Sequence, residues 1–302
     1  MYDTGVIAFA NGDVFTVSNV QTYAGYSVHV GTMSSGTANV GDKVICKVDY
    51  LRRGLIAPNH TMTHVLNFAI RKTLLNDTRE TVVSTCDQKG SLVDEDKLRF
   101  DFSWNAPLTP DEVKSVEGIV VEKIRSEIQV YAQVVPLSVA SKIHSLRMVF
   151  GEKYPDPVRI ISVGENVDNL INNPDNTEWA GLSVEFCGGT HLNNTKEAAD
   201  FVLVEESGIA KGIRRIVGLT KNAAIMAREN AHALLSRLTE MEKSRGNKDL
   251  QSAWKIIKQE VDPAVVSLVD KHVMRSKLDK IMDVLKAWTK EETTRKSSEA
   301  VA

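Results

Sequence analysis

Along the first fifty residues apolar and polar positions alternate in short runs, as in "YSVHV" (26–30) and "KVICKVD" (43–49), with "NVGDK" supplying a turn. Strict alternation bounded by Gly-bearing turns reads as β-strands. Few positions here could carry a helix longer than two turns, which predicts a small β-barrel or β-meander over residues 1–55. From Ala57 the period changes. "PNHTMTHVLNFAIRKTLL" reads as a helix starting at Pro58 and Asn59, because Asn caps free backbone N–H groups and Pro lacks one. Val65, Phe68, Ala69 and Lys72 fall on one side, with Leu66 and Ile70 beside them. Positions 60, 64, 67 and 71 form one stripe at helical spacing, occupied by His, His, Asn and Arg. Four polar residues beside an apolar face predict a polar site roofed by the helix. The competing reading is a solvated edge, which more often carries Glu and Lys.

Further on, "LRFDFSW" (98–104) reads as a strand, and "TPDEVKSVEGIVVEKIRSEI" (109–128) as a helix. Thr109 is its N-cap, Pro110 its first position, and the first turn is acidic. "PVRIISVG", "GLSVEFCGG", "FVLVEESG" and "IRRIVGLT" read as strands. Strands and helices in this irregular order favour α+β over a doubly wound sheet, giving a central α+β domain over 56–220. The third region, 221–302, is helical: "NAAIMARENAHALLSRLTEMEKSR" is a helix stopping at Gly246, and Leu278, Ile281, Leu285 and Trp288 form a short coiled-coil-like seam. That seam offers self-association through the C-terminal helices, and the closing "EETTRKSSEAVA" reads as frayed.

Composition narrows the classes. At 302 residues, 42% apolar and 25% charged, the chain has the make-up of a globular protein large enough for two or three domains. No apolar run approaches the ~20 residues of a spanning helix, so no membrane partner is expected. The N-terminus has neither a basic start nor an apolar signal core. Three widely spaced cysteines make no disulfide framework and point to a reducing, cytoplasmic setting, where a Cys near a His more often binds metal or does chemistry. A net charge of −2 argues against holding nucleic acid by bulk charge, and DNA is not expected as a partner. From residue 221 onward, 16 Lys and Arg face 12 Asp and Glu, an asymmetry that fits an RNA-contacting tail or merely solvated helix faces.

Two short motifs carry candidate chemistry. In "HTMTH" (60–64), His60 and His64 stand one helical turn apart on one face, a spacing suited to a single ion. In "CGGTH" (187–191), Cys187 and His191 flank Gly188 and Gly189, whose freedom lets the loop turn both side chains inward and exposes backbone N–H groups. The competing reading is a tight turn with a buried Cys. Together His60, His64, Cys187 and His191 make a mixed imidazole–thiolate set that suits zinc better than calcium or magnesium. Cys86 and His144 are rivals without a partner at useful spacing, and His144 in "SKIHSLRMVF" reads as a helix residue. The glutamate of a zinc peptidase helix, a phosphate loop, a serine elbow and a dinucleotide fingerprint do not occur.

In order, "NHTMTHVLNFAIR", "DQKGSLV", "LRFDF", "YPDPVRIISVG", "SVEFCGGTHL" and "AKGIRRIVGLT" resemble the editing region of alanyl-tRNA synthetases of the eukaryotic cytosolic type. The likeness covers roughly residues 1–220, with a helical remainder like the linker beyond it. The resemblance implies zinc-dependent hydrolysis of tRNA(Ala) mischarged with serine or glycine, a proofreading step in protein biosynthesis. It also implies that His60, His64, Cys187 and His191 are metal ligands and that Gln88, in "DQKGS", lines the catalytic pocket. Thr61, Thr63 and Thr190 stand near in sequence, where each helps the site or only satisfies local backbone. Arg214 and Arg215 in "GIRRI" are candidates for the tRNA backbone or terminal adenosine, unless they pair with a carboxylate such as Glu185. "NDTRETVVST" (76–85) is longer than the family's usual turn, and Lys221 stands where a glycine is common. Nothing resembles the ATP-dependent activation domain, so a free-standing editing protein and a part of a longer synthetase stay open.

Overall fold

The computed structural model describes residues 2–24, 26–75, 86–149 and 152–301. The expected "NDTRETVVST" rim (76–85) lies outside the described residues. The alternating N-terminal segment forms β1 (Gly5–Phe9), β2 (Val14–Tyr23), β3 (Tyr26–Met33) and β4 (Val44–Val48), an antiparallel sheet in the order β3-β2-β1-β4.

The helix carrying "HTMTH" is α1 (Tyr50–Leu75), and it begins at Tyr50, not at Pro58. Asp49 opens it, its carboxylate accepting from Arg52 N at 3.1 Å. Pro58 sits inside the helix, where its missing N–H leaves the Gly54 carbonyl without a helical donor. Lys221 supplies one from the far end of the domain, its Nζ donating to Gly54 O at 2.8 Å. Asn59, expected as the cap, is instead buried: its amide donates to Asp94 O at 3.0 Å and its carbonyl accepts from Thr220 Oγ1 at 2.7 Å. From Ile56 to Ile70 every residue except His60 is buried, which is the mark of a helix enclosed on all sides.

Two four-stranded sheets enclose α1. One consists of β5 (Gln88–Val93), β6 (Leu98–Ser103), β11 (Phe201–Ala210) and β12 (Ile213–Thr220) in the order β11-β12-β6-β5, all neighbours antiparallel. The other consists of β7 (Val130–Val135), β8 (Leu146–Arg147), β9 (Val158–Val163) and β10 (Ser183–Phe186) in the order β7-β9-β10-β8, with β10 parallel to β8. α1 touches β6 and β12 of the first, β10 of the second, and α2 (Pro110–Arg125). Met62, Leu66 and Ile70 pack there with Phe100, Phe102, Val116, Val120 and Phe201 in one apolar core. α2 starts as its local chemistry dictates, with a Thr109–Glu112 capping box and Pro110 in the first turn. The short helices α3 (Leu137–Ala140) and α4 (Val167–Asn172) cover the second sheet. His144 lies in a turn rather than on a helix, its N–H bound to Pro174 O at 2.8 Å. The fold class is α+β, as the irregular element order predicts.

The C-terminal part consists of α5 (Lys221–Glu242), α6 (Lys248–Val261) and α7 (Leu268–Val301). Leu278, Ile281 and Leu285 of the expected seam are buried against Leu234, Leu238, Leu250 and Ile257 of α5 and α6, so the seam is filled within the chain. Nor does the helix fray at Glu291. Thr293, Thr294, Ser297 and Ser298 each donate to the carbonyl four residues back, and Arg295 pairs with Glu292 at 3.0 Å. The tail is tied to the centre through buried Glu117 of α2, which accepts from Leu203 N at 2.8 Å and from Ser267 Oγ at 3.0 and 2.9 Å. Among the described residues no helix is long and apolar enough to cross a membrane.

At the α5–α6 turn the backbone of Gly246 presses on α7: a Cβ there would stand 2.4 Å from Trp288 Cβ and 3.1 Å from Val284 O. Gly246→Ala is therefore expected to destabilise the tail by about 1–3 kcal/mol, the usual cost of overpacking a tight contact. A lowered thermal midpoint, with the central metal affinity unchanged, checks it.

Candidate metal centre

α1 and the loop after β10 together build the centre. The four-residue spacing on α1 turns His60 and His64 the same way. β10 ends at Phe186, and alternation along the strand directs Glu185 and Cys187 to one side. The ligating atoms of His60, His64, Cys187 and His191 all lie within 4.8 Å of one another. Cys187 Sγ stands 3.3 Å from His60 Nε2. The imidazole centroids are 4.2 Å apart for His60–His191, 4.9 Å for His64–His191 and 5.2 Å for His60–His64.

Each ring is held from behind by its other nitrogen. His60 Nδ1 donates to the Thr190 carbonyl at 3.2 Å, and His64 Nδ1 donates to Glu185. His191 Nδ1 meets Thr61 Oγ1 at 3.2 Å, a hydroxyl that also accepts from Leu192 N at 3.0 Å. Asn67 Nδ2 donates to the second oxygen of Glu185 at 2.7 Å. This outer layer orients the inner nitrogens, as it does around protein-bound metals. His64 Nε2 and His191 Nε2 are buried without any hydrogen-bond partner among the described residues. Two orphaned imidazole nitrogens aimed at a thiol are costly unless something occupies the space between them, and a metal ion fits.

The charges of the ion-free cluster follow from the same contacts. Burial disfavours a thiolate at Cys187, but the imidazoles of His191, His60 and His64 around it outweigh that and pull its pKa down to about 3. Burial likewise disfavours charge on His64, yet Glu185 and Cys187 outweigh it and raise the pKa to about 10. His191 is pushed down to about 3 by burial and by the neighbouring charge of His64. The cluster thus holds a thiolate and a neutral imidazole ready to coordinate, and an ion entering it displaces a proton from His64.

A narrow cleft of about 30 Å³ lies alongside, lined by Asn67, Arg71, Gln88, Tyr154 and Glu185 among others. It shares Glu185 with the histidine cluster, so Gln88, at the start of β5, is one carboxylate removed from the ligands. Gln88 Nε2 donates to Ser91 Oγ at 3.2 Å. Roomier clefts of about 490 and 740 Å³ lie along the tail helices and hold none of the four ligands.

The other candidates separate. Thr61 belongs to the centre through its hydroxyl and Thr190 through its carbonyl. Thr63 bonds back to Asn59 O at 2.8 Å and serves its own helix. Gly188 is exposed on the loop, whereas Gly189 gives its carbonyl to Arg159. Arg214 pairs with Glu206 at 2.6 Å, and Arg215 makes a fork with Asp101 at 2.7 and 2.9 Å. Both arginines take carboxylate partners, and neither takes Glu185. Cys86 is buried in the core with its thiol pushed up to about 12, chiefly by burial, and is no rival ligand. Sequence reasoning missed the part played by Glu185 and by Arg159, which grips the "CGG" turn. The alternation in "VEFC" could have flagged Glu185.

The family described as "Threonyl and Alanyl tRNA synthetase second additional domain" matches residues 158–217, the stretch from β9 to β12. The mitochondrial alanine–tRNA ligase of Saccharomyces cerevisiae is 44% identical over 280 residues, covering 93% of this chain and 28% of that protein. The alanine–tRNA ligase of Candida albicans is 43% identical over 296 residues, covering 97% of this chain and 30% of its own length. The cytoplasmic alanine–tRNA ligase of Dictyostelium discoideum is 41% identical over 274 residues, covering 89% and 27%. The chain thus spans less than a third of the length of these relatives.

If Glu185 holds His64 for an ion, Glu185→Gln is expected to weaken metal binding by about 10–100-fold without abolishing it. Cys187→Ala and His64→Ala should lose the bound ion altogether. Competition against a colorimetric chelator measures all three.

Proposed function

This chain is a homologue of one segment of the alanine–tRNA ligases, the editing region, and from that premise we propose that it is a zinc-dependent deacylase of mischarged tRNA. Its substrates are tRNA(Ala) esterified with serine or glycine, and its products are the free amino acid and a tRNA ready to be charged again. The observation that carries the reading is the convergence of His60, His64, Cys187 and His191 within 4.8 Å, beside a cleft lined by Gln88. A peptidase glutamate is absent from "HTMTH", which turns the reading from peptide hydrolysis toward an ester.

The physical need for such a site is general. A pocket that accepts alanine rejects glycine weakly, because one missing methyl is worth only about 1–3 kcal/mol. It also excludes a small added hydroxyl poorly. A second site that hydrogen-bonds the serine hydroxyl reverses the preference, since alanine would leave its polar groups unpaired.

His60, His64, Cys187 and His191 would hold the zinc ion. Bound there, zinc supplies positive charge that organises the pocket and orients a polar group of the substrate. Glu185, shared between His64 and Asn67, keeps the inner imidazole in register with the cleft. Gln88 has both donor and acceptor capacity at the cleft's edge and would orient the ester or the attacking water. We assign the work to the cytosol, the compartment named for the Dictyostelium discoideum relative, although the Saccharomyces cerevisiae relative is mitochondrial. No amino-acid activation is proposed for this segment.

Incubation with Ser-tRNA(Ala) and Ala-tRNA(Ala) is expected to release serine faster than alanine. Gln88→Ala should slow serine release with the metal retained. Removing zinc with a chelator should abolish release, and adding zinc back should restore it. Background rates for both esters from the metal-loaded protein would sink the assignment and leave a tRNA-binding module with a structural ion.

A further inference from the structure

The polar stripe of α1 does not end at the ligands. His60 and His64 face the ion cluster, Asn67 holds Glu185, and one turn further stands Arg71 on the same side. Being seven residues beyond His64, it lies about 10 Å further along the helix axis. Helical side chains lean back toward the N-terminus, so Arg71 reaches over the turn that carries Asn67. The two line one cleft with Gln88.

The acids around that cleft are committed elsewhere. Glu185 gives one oxygen to His64 and the other to Asn67. Asp87 stands 3.9 Å from Lys89. The Cys86 thiol feels Arg71, yet burial pushes its pKa up to about 12, so it stays neutral and offers no counter-charge. Arg147 lines the cleft as well and adds positive charge to it. Arg71 itself makes no hydrogen bond or ion pair among the described residues, and its Nε is buried without a partner. A guanidinium cannot shed its charge, so a half-buried one without a partner costs stability until an anion reaches it.

We propose that Arg71 is a phosphate-binding residue of the candidate site, taking the phosphate on the 5′ side of the tRNA's terminal nucleotide. The inference rests on the deacylase reading. In that substrate the ester, the ribose hydroxyls and the serine hydroxyl are neutral, and the amino group is no anion, which leaves the phosphodiester as the anionic group. A guanidinium fork matches two phosphate oxygens at once. At about 30 Å³ the cleft has room for about two waters and not for a nucleotide, so the phosphate docks at its mouth. The ester and this phosphate belong to one ribose. Holding the phosphate at Arg71 therefore fixes the ribose and directs its ester back along α1 toward Gln88 and the ion.

The test separates the phosphate from the rest of the nucleotide. The zinc-loaded full chain is assayed on Ser-tRNA(Ala) against two unreactive competitors, the 3′-seryl amide of adenosine and the same compound carrying a 5′-phosphate. The phosphorylated competitor is expected to inhibit roughly 10–100-fold more strongly, the worth of a charge-assisted contact. Arg71→Gln should close that gap and raise KM for Ser-tRNA(Ala) more than it lowers kcat, with metal content and thermal midpoint kept. Arg71→Lys, which retains the charge without the fork, should keep part of the gap. Equal inhibition by the two compounds in the unmodified protein would overturn the proposal, whatever the variants do. So would a full gap in Arg71→Gln, or a loss confined to kcat, the sign of a guanidinium on the ester oxygen. If the unmodified protein releases no serine, the deacylase reading and this inference fall together. If it releases serine and the two competitors act alike, only this inference falls.

Discussion

A buried carboxylate shared by two elements holds the centre of this molecule together. Glu185 is 7% exposed, and its two oxygens are claimed by His64 and Asn67, one helical turn of α1. A carboxylate so enclosed is costly unless fully paired, and breaking one partner leaves the rest uncompensated. The pairing therefore sets the register of α1 against β10, and with it the distance from His60 and His64 to Cys187. Enclosing α1 between two sheets makes that register hard to slip, since Met62, Leu66 and Ile70 would have to leave the core with it. The helix can run through Pro58 because Lys221 repairs the freed Gly54 carbonyl. Lys221 adopts a left-handed backbone, φ 52°, which costs a non-glycine residue strain but lets its side chain reach that carbonyl.

What was legible from sequence divides by range. α2 was readable to its first turn, because Thr109, Pro110 and Glu112 act on backbone groups within one turn. The pairing of His60 with His64 and of Cys187 with His191 was readable for the same reason. The start of α1 was not. Gly54 and Pro58 argue locally against a helix, and the donor that compensates comes from 167 residues away. The meeting of the two motifs spans 127 residues between His60 and Cys187, and residue spacing alone only raised it as a question. The arginines of "GIRRI" show the limit from the other side. Exposed cations in a run look like a nucleic-acid contact, yet Glu206 on the neighbouring strand and Asp101 across the sheet satisfy them.

The tail illustrates how a correct pattern can have a different partner. Apolar residues stepping by three and four do mark a packed seam on α7, but α5 and α6 fold back to fill it. Local chemistry then carries the last turns, where Thr and Ser hydroxyls and Arg295 satisfy groups that would otherwise need water. The bundle does not hang free. Glu117 accepts from β11 and from Ser267, and Arg228 of α5 binds Asp200 at 2.6 Å and lies 3.5 Å from Glu117. Burial raises the Glu117 pKa in spite of these partners, so the junction holds a carboxyl with little tolerance for losing one of them.

These constraints meet in the loop after β10, where one short segment must satisfy two sets of demands. Cys187 and His191 at its two ends belong to the four-residue His/Cys cluster. Its carbonyls are drawn to Arg159 and to His60, so the backbone cannot rotate without loosening the cluster. A loop held at side chains and carbonyls alike keeps Cys187 and His191 in place through two independent sets of contacts. Rigidity of this kind is what an ion site demands of the residues around it.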